Sequence, residues 1–295
     1  WTSLMKDIAT GAQLGALITD DDIERVFNSG LHSEVVKGGA SEKSRSLKLT
    51  SVSHPMGINW ALSLVRRALA EGESIDCISL TSLRASPFFT KRALISPLGV
   101  YRAFRSHTAM PLSAFDQLTP HAQLYRFAGL LSDIDVAAAR CILTMEHPHI
   151  TSESMQDAVL LNVRGKSRLL ITDNSGHSIF YCDKPRAGAL KYATLTDLSQ
   201  QLILDIIRIT APVRDVLKRA GTKTWRYLFL GVGKRAQAHG TLGVVEGKPT
   251  HIHGGSSRLG LTDLYPALVE QGLDKGNADY RRLRNTMGII RWLET

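Results

Sequence analysis

Residues 277–295 read NADYRRLRNTMGIIRWLET, and the fold turns on how this stretch is wound. From Tyr280 onward, Leu283, Met287 and Ile290 recur at the 3.6-residue period, which predicts a helix with that apolar stripe packed inward. On a neighbouring face Arg281, Arg284, Gly288 and Arg291 follow one another at spacings of three, four and three, with Arg282 beside them. Asp279 or Asn277 is placed to accept from the free N–H groups of the first turn, and the positive end of the helix lies close to Arg281 and Arg284. Guanidinium groups flanking a residue without a side chain leave room for a phosphate. The competing reading of the same spacing is a solvated basic face on an amphipathic helix.

The rest of the chain favours an anionic partner. Its formal charge is +9 with a pI near 9.6. Residues 211–295 hold 14 Lys and Arg against 7 Asp and Glu, so +7 of that charge lies in the last 85 residues. Nucleic acid is the commonest reason for such asymmetry. Three separated cysteines, Cys77, Cys141 and Cys182, fit a reducing compartment better than a disulfide framework or a zinc site, and cytoplasm is the expected location. No apolar run reaches the ~18 residues a membrane helix needs. The chain opens on Trp1 and stops at Thr295 inside a helical pattern, so it reads as a fragment.

Its 295 residues suit two domains. Pro111 and Pro120 bracket the expected boundary, with a mostly helical region over 1–112 and a second domain over 113–295. Thr19 and the acids after it resemble a helix start, and residues 37–46, KGGASEKSRS, a flexible loop. MGINWALSLVRRALAEG carries a helical stripe at Ile58, Leu62, Val65 and Leu69. Residues 84–105 interleave Phe88, Phe89, Tyr101 and Phe104 with five basic residues, a pattern that stacks on bases or, more ordinarily, belongs to a helix pair with basic edges. Residues 118–145 read as one or two helices broken at His147-Pro148-His149. Strands over 167–172, 177–183 and 190–195, separated by the turns DNSG and KPRAG, predict a three-stranded antiparallel meander. A helix over 196–208 follows, then one restarted at Thr210-Ala211-Pro212 and ended by Gly221. Together these elements predict an α+β fold that is mainly α.

The run Leu283-Arg284-Asn285-Thr286, continued by Met287-Gly288-Ile289-Ile290-Arg291-Trp292-Leu293, resembles the box II helix of the tyrosine recombinases, the phage-integrase family, whose motif is H-x-L-R-H-T. The arginine is kept as Arg284; Arg281 and Asn285 stand where that family has histidines. The resemblance extends over about 115–295, and the apolar run WRYLFLGV, residues 225–232, falls where the family has a short apolar segment before box II. It implies an integrase-like catalytic domain acting in DNA recombination and integration, as in mobile genetic elements. In that chemistry a tyrosine attacks a DNA phosphate, arginines hold the non-bridging oxygens and a lysine protonates the leaving 5′-oxygen.

By that resemblance the catalytic set is Arg284, Lys184 in the turn after the second strand, Arg281, and Arg140 as the nearest candidate for the family's first arginine. That arginine is otherwise absent from TMEHPHITSESM, residues 144–155. Arg186, Arg291, Lys191 and Arg282 are the expected DNA contacts, with Lys191 also the alternative to Lys184. Tyr280 stands on the wrong side of the motif to be the nucleophile, so the fragment itself is expected to be inactive. The implied partner is double-stranded DNA, with self-association on it, and no metal or small-molecule cofactor is implied. Two alternatives stay open: a catalytically degenerate DNA-binding protein of the same fold, and an unrelated basic nucleic-acid-binding regulator. Other patterns carry less. GVVEGK, residues 243–248, is one residue short of a Walker A loop, His239, His251 and His253 lack further ligands, and Ser256-Ser257 lacks a nucleophile elbow.

Overall fold

The computed structural model describes residues 1–30, 33–36, 45–51, 53–71, 125–171, 176–184, 189–232, 244–246, 262, 266–273 and 279–294. They form a mainly helical protein with small antiparallel sheets. The basic, aromatic stretch 84–105, the glycine-rich 243–248 motif beyond Glu246, His239, His251, His253, the Ser256-Ser257 pair, Arg186 and Asn277 all lie outside the described residues. No described helix is long and apolar enough to cross a membrane. The chain divides into two compact units, one within residues 2–130 and the other within 131–233 and 244–295.

The first unit contains helices α1 (Thr2–Ala16), α2 (Asp20–Ser29) and α3 (Gly57–Ala70), and a hairpin of β1 (Ser33–Val36) with β2 (Arg45–Lys48). Arg45 and Ser46, expected in a loop, pair in that hairpin. Thr19 caps α2 through a capping box with Asp22, satisfying donors that a helix start leaves open. Leu62, Val65 and Leu69 bury one side of α3, and Trp60 and Leu64 bury the side opposite. The boundary falls at 130/131, later than the expected 112/113, because the segment at Tyr125 to Ala128 belongs to this core. Arg126 is buried there and donates to Asp7 (3.0 Å), while the carbonyl of Phe127 accepts from Arg66 (3.2 Å). A Cβ on Gly11 would come within 2.1 Å of that carbonyl, so α1 approaches it only because residue 11 is glycine.

The second unit opens with α4 (Asp133–Glu146), whose start is fixed by Ser132 and Asp135 in a second capping box. The chain then turns at His147 and Pro148 into the short α5 (Ser152–Gln156), capped by Thr151. Strands β3 (Leu169–Ile171), β4 (Ser178–Lys184) and β5 (Ala189–Thr194) form an antiparallel sheet in the order β3-β4-β5. Opposed residues share a face, so Phe180 and Ala193 point into the core together, and Lys191, opposite Cys182, lies on that same inward face. Helices α6 (Asp197–Ile209) and α7 (Ala211–Arg219) follow, with Leu202, Ile203, Ile206, Val213 and Leu217 buried. A 3₁₀ turn (Thr224–Arg226) leads to β6 (Leu230–Val232), paired with β7 (Val244–Glu246). Two helices complete the unit, α8 (Pro266–Glu270) and α9 (Tyr280–Glu294).

The apolar segment at 225–232 is held by a charge. Arg214, buried on α7, donates through Nε to Thr210 Oγ1 (3.0 Å), through Nη1 to the carbonyls of Trp225 and Tyr227, and through Nη2 to that of Leu228 (2.9 Å). These are carbonyls that an irregular chain leaves without ladder partners, and the planar guanidinium serves three of them at once. Burial lowers its pKa to about 10, still charged at neutral pH. Arg214→Met is expected to lower stability by about 3 kcal/mol or more, because orphaned buried carbonyls keep their desolvation cost. Arg214→Lys should recover little of it, since an ammonium lacks the fork. Urea denaturation of the three proteins measures both.

Candidate phosphate-binding groove

Asp279 starts α9 as the sequence suggests: its Oδ1 accepts from the backbone N–H of Arg282 (2.8 Å). Of the expected apolar stripe, Leu283 and Met287 are half-buried and Ile290 is 39 % exposed. The adjoining stripe Tyr280, Arg284, Gly288 and Arg291, also at helical spacing, is half-buried to the same degree. Tyr280 lies under the start of the helix with its hydroxyl donating to the carbonyl of Ala137 (3.3 Å) and its ring 4.5 Å from the guanidinium of Arg140. Gly288 faces Pro148, where a Cβ would make ordinary contact at 3.9 Å. Arg291 approaches Glu146 at 3.7 Å.

That orientation opens a groove between α9, the turn after α4 and strand β5. Its walls include His149, Thr151, Lys191, Arg284, Asn285 and Gly288. Arg284 donates through Nε (3.3 Å) and Nη2 (3.0 Å) to Asn285 Oδ1, which fixes the guanidinium plane and leaves Nη1 free of these bonds. On the opposite wall, Lys191 Nζ donates to the carbonyl of His149 (2.5 Å), and His149 Nε2 donates to the carbonyl of Tyr192 (3.1 Å). A lysine on the inward face of a sheet must find partners at its rim, and this one spends a single N–H on the backbone and keeps two. A second groove on the other side of Lys191 is lined by His147, His149, Tyr192, Thr194 and Arg291.

The expected site residues are thereby sorted. Arg284 lines the first groove, Arg291 the second, and Lys191 both. Lys184 is the last residue of β4, paired with Ala189, rather than part of the turn; Lys191, its expected alternative, lines the first groove together with Arg284. Arg281 and Arg282 are exposed, with Arg282 paired to Asp279, and neither lines a groove. Arg140 is 2 % exposed, its Nε and Nη1 have no hydrogen-bond partner, and burial lowers its pKa. It supports Tyr280 and is absent from the groove walls. Burial likewise raises the Tyr280 phenol well above its ordinary range, so its hydroxyl is a poor nucleophile.

His149, Thr151 and Asn285 were not singled out as site residues by sequence reading. His149 lies within residues 144–155, where the resemblance calls for an arginine, and that position was its signal. Comparison of the chain with protein-family models, with curated proteins and with solved structures finds no match.

Two expectations follow from the supports of the groove. Tyr280→Ala should cost about 3 kcal/mol, because it removes the ring packed over the buried Arg140 guanidinium, whereas Tyr280→Phe keeps the ring and should cost about 1 kcal/mol or less. Thermal unfolding of the two variants distinguishes them. His147, buried and bonded to Ser199 Oγ (2.8 Å), has its pKa lowered to about 4 by burial, with the charges of His149 and Arg291 adding to the effect. The unfolded chain takes up this proton near pH 6.5 and the folded one only near 4. Stability present above 6.5 is therefore lost as pH falls through that window, by up to about 3 kcal/mol. His147→Gln should flatten that part of the stability profile, measured by urea denaturation from pH 7.5 to 4.

Proposed function

We propose that this chain is a double-stranded-DNA-binding protein of the tyrosine-recombinase kind, and that the groove between α9 and β5 grips one backbone phosphate. The observation that supports this most is the convergence of Arg284, Lys191 and His149, from three separate elements, on the walls of one groove beside Gly288. Lys191 and Arg284 face each other across the groove with no carboxylate among its lining residues, and each raises the cost of the other. A phosphodiester repays it: Arg284 is permanently charged and presents N–H groups in a fork matched to two non-bridging oxygens, and Lys191 adds a compact charge with two donors in hand.

In strand exchange these two residues divide the work. Arg284 stabilises the negative charge that grows on the phosphorane as a tyrosine oxygen attacks phosphorus. Lys191, in place of Lys184, gives its proton to the 5′-oxygen as the P–O bond breaks. Tyr280 is not that tyrosine, because its hydroxyl is bonded to the Ala137 carbonyl beneath α9. A binding-only protein of the same fold is the second reading, favoured by the position of Arg140 under Tyr280, which leaves the groove one arginine short of the recombinase set.

Lys191→Ala and Arg284→Ala should each weaken binding of a fluorescein-labelled duplex by roughly tenfold and lower the slope of log K against log salt by about 1. Fluorescence anisotropy titrations across salt concentrations read both. Binding indifferent to salt, or unchanged in both variants, removes the proposal. A covalent complex on a nicked duplex selects the recombinase over the binding-only reading.

A further inference from the structure

We propose that His149 is a third phosphate-contacting residue of this groove, standing in for an arginine and gripping the anion as an imidazolium, so that DNA affinity is set by proton uptake. The inference rests on the DNA-binding reading above and goes beyond it by naming a residue and a condition.

The geometry carries it in two steps. His149 Nε2 lies 3.1 Å from the carbonyl oxygen of Tyr192, an atom that only accepts, so the ring proton of neutral His149 is on Nε2 and is already spent. Nδ1 is then a bare lone pair on a residue that lines the groove, and a bare lone pair repels an anion that meets it. Protonation converts Nδ1 into a charged donor while leaving the Nε2 bond in place. The same residue also shapes its neighbour, because the His149 carbonyl takes one N–H of Lys191 (2.5 Å). A side-chain substitution at 149 leaves that carbonyl, and so the lysine's support, where it is.

Charges of both signs surround the ring. The charged side chains on the neighbouring elements are Lys191 on β5, Arg284 and Arg291 on α9 and Glu146 at the end of α4, and His147 beside it is held neutral against Ser199. A phosphate entering among them shifts the balance toward the charged ring, so binding and protonation favour each other. His54 and His177 lie elsewhere in the chain and line neither groove.

The test measures affinity for a fluorescein-labelled duplex at fixed salt from pH 8 to 6, for the unaltered protein, His149→Gln, His149→Arg and His147→Gln. The unaltered protein should bind roughly threefold to tenfold more tightly at pH 6 than at pH 8. His149→Gln should lose that dependence, His149→Arg should bind tightly at both ends, and His147→Gln should retain the dependence. A His149→Gln profile like that of the unaltered protein, a dependence that disappears with His147 instead, or a His149→Arg protein no tighter at pH 8 than His149→Gln overturns the assignment. If Lys191→Ala and Arg284→Ala still weaken binding in that case, the DNA-binding reading stands without His149. If the unaltered protein fails to bind duplex at any pH, both fall.

Discussion

The guanidinium of Arg140 decides where the last helix lies. Buried on α4 with two nitrogens that no oxygen reaches, it is a charge that water has abandoned. The face of Tyr280 lies over it, with Cys141 and Asp157 also favouring the charge, and because Tyr280 is the first residue of α9 this contact ties the start of that helix to α4. Four and eight residues on, Arg284 and Gly288 lie beside the turn after α4.

The opposing wall depends on a different constraint. Lys191 and Ala193 share a face by strand alternation, and Ala193 is buried. The lysine at the end of that row is therefore directed under the sheet edge, where the turn at Pro148 supplies a backbone carbonyl. Thr151 holds that turn from the far side by capping α5, and the bond from His149 to the Tyr192 carbonyl closes it against β5. The groove is thus assembled by ordinary devices of chain termination, a cap, a turn and a strand edge, with its charges placed by register.

Much of this was legible in local pattern. Helices α3, α6, α7 and α9 and strands β4 and β5 fall within a residue or two of where periodicity puts them, because each has a stripe or alternation that only one conformation buries. Helix α1 was not read, since Gly11 and Gly15 sit inside it and it lacks an acidic first turn; Gly11 is there for the close approach of the Phe127 carbonyl, a contact more than a hundred residues distant. Lys191 was legible only as an alternative to Lys184, and its seat on the His149 carbonyl and the burial of Arg140 were equally hidden. Both follow from what another segment offers, a carbonyl in one case and an aromatic ring in the other, and spacing along the chain contains neither.

One carboxylate described above joins three elements. Glu146 Oε2 accepts from Thr196 Oγ1 at the start of α6 (2.7 Å) and faces Arg291 at 3.7 Å. Arg291 therefore carries a counterion of its own, supplied by the protein, whereas Arg284 is steadied by a neutral amide. For a polyanion the two arginines are unlike: contact with Arg284 displaces solvent and mobile salt, while contact with Arg291 trades one fixed negative partner for another. The two grooves beside Lys191 are therefore unequal: one presents a cation steadied by an amide, the other a cation already facing a carboxylate.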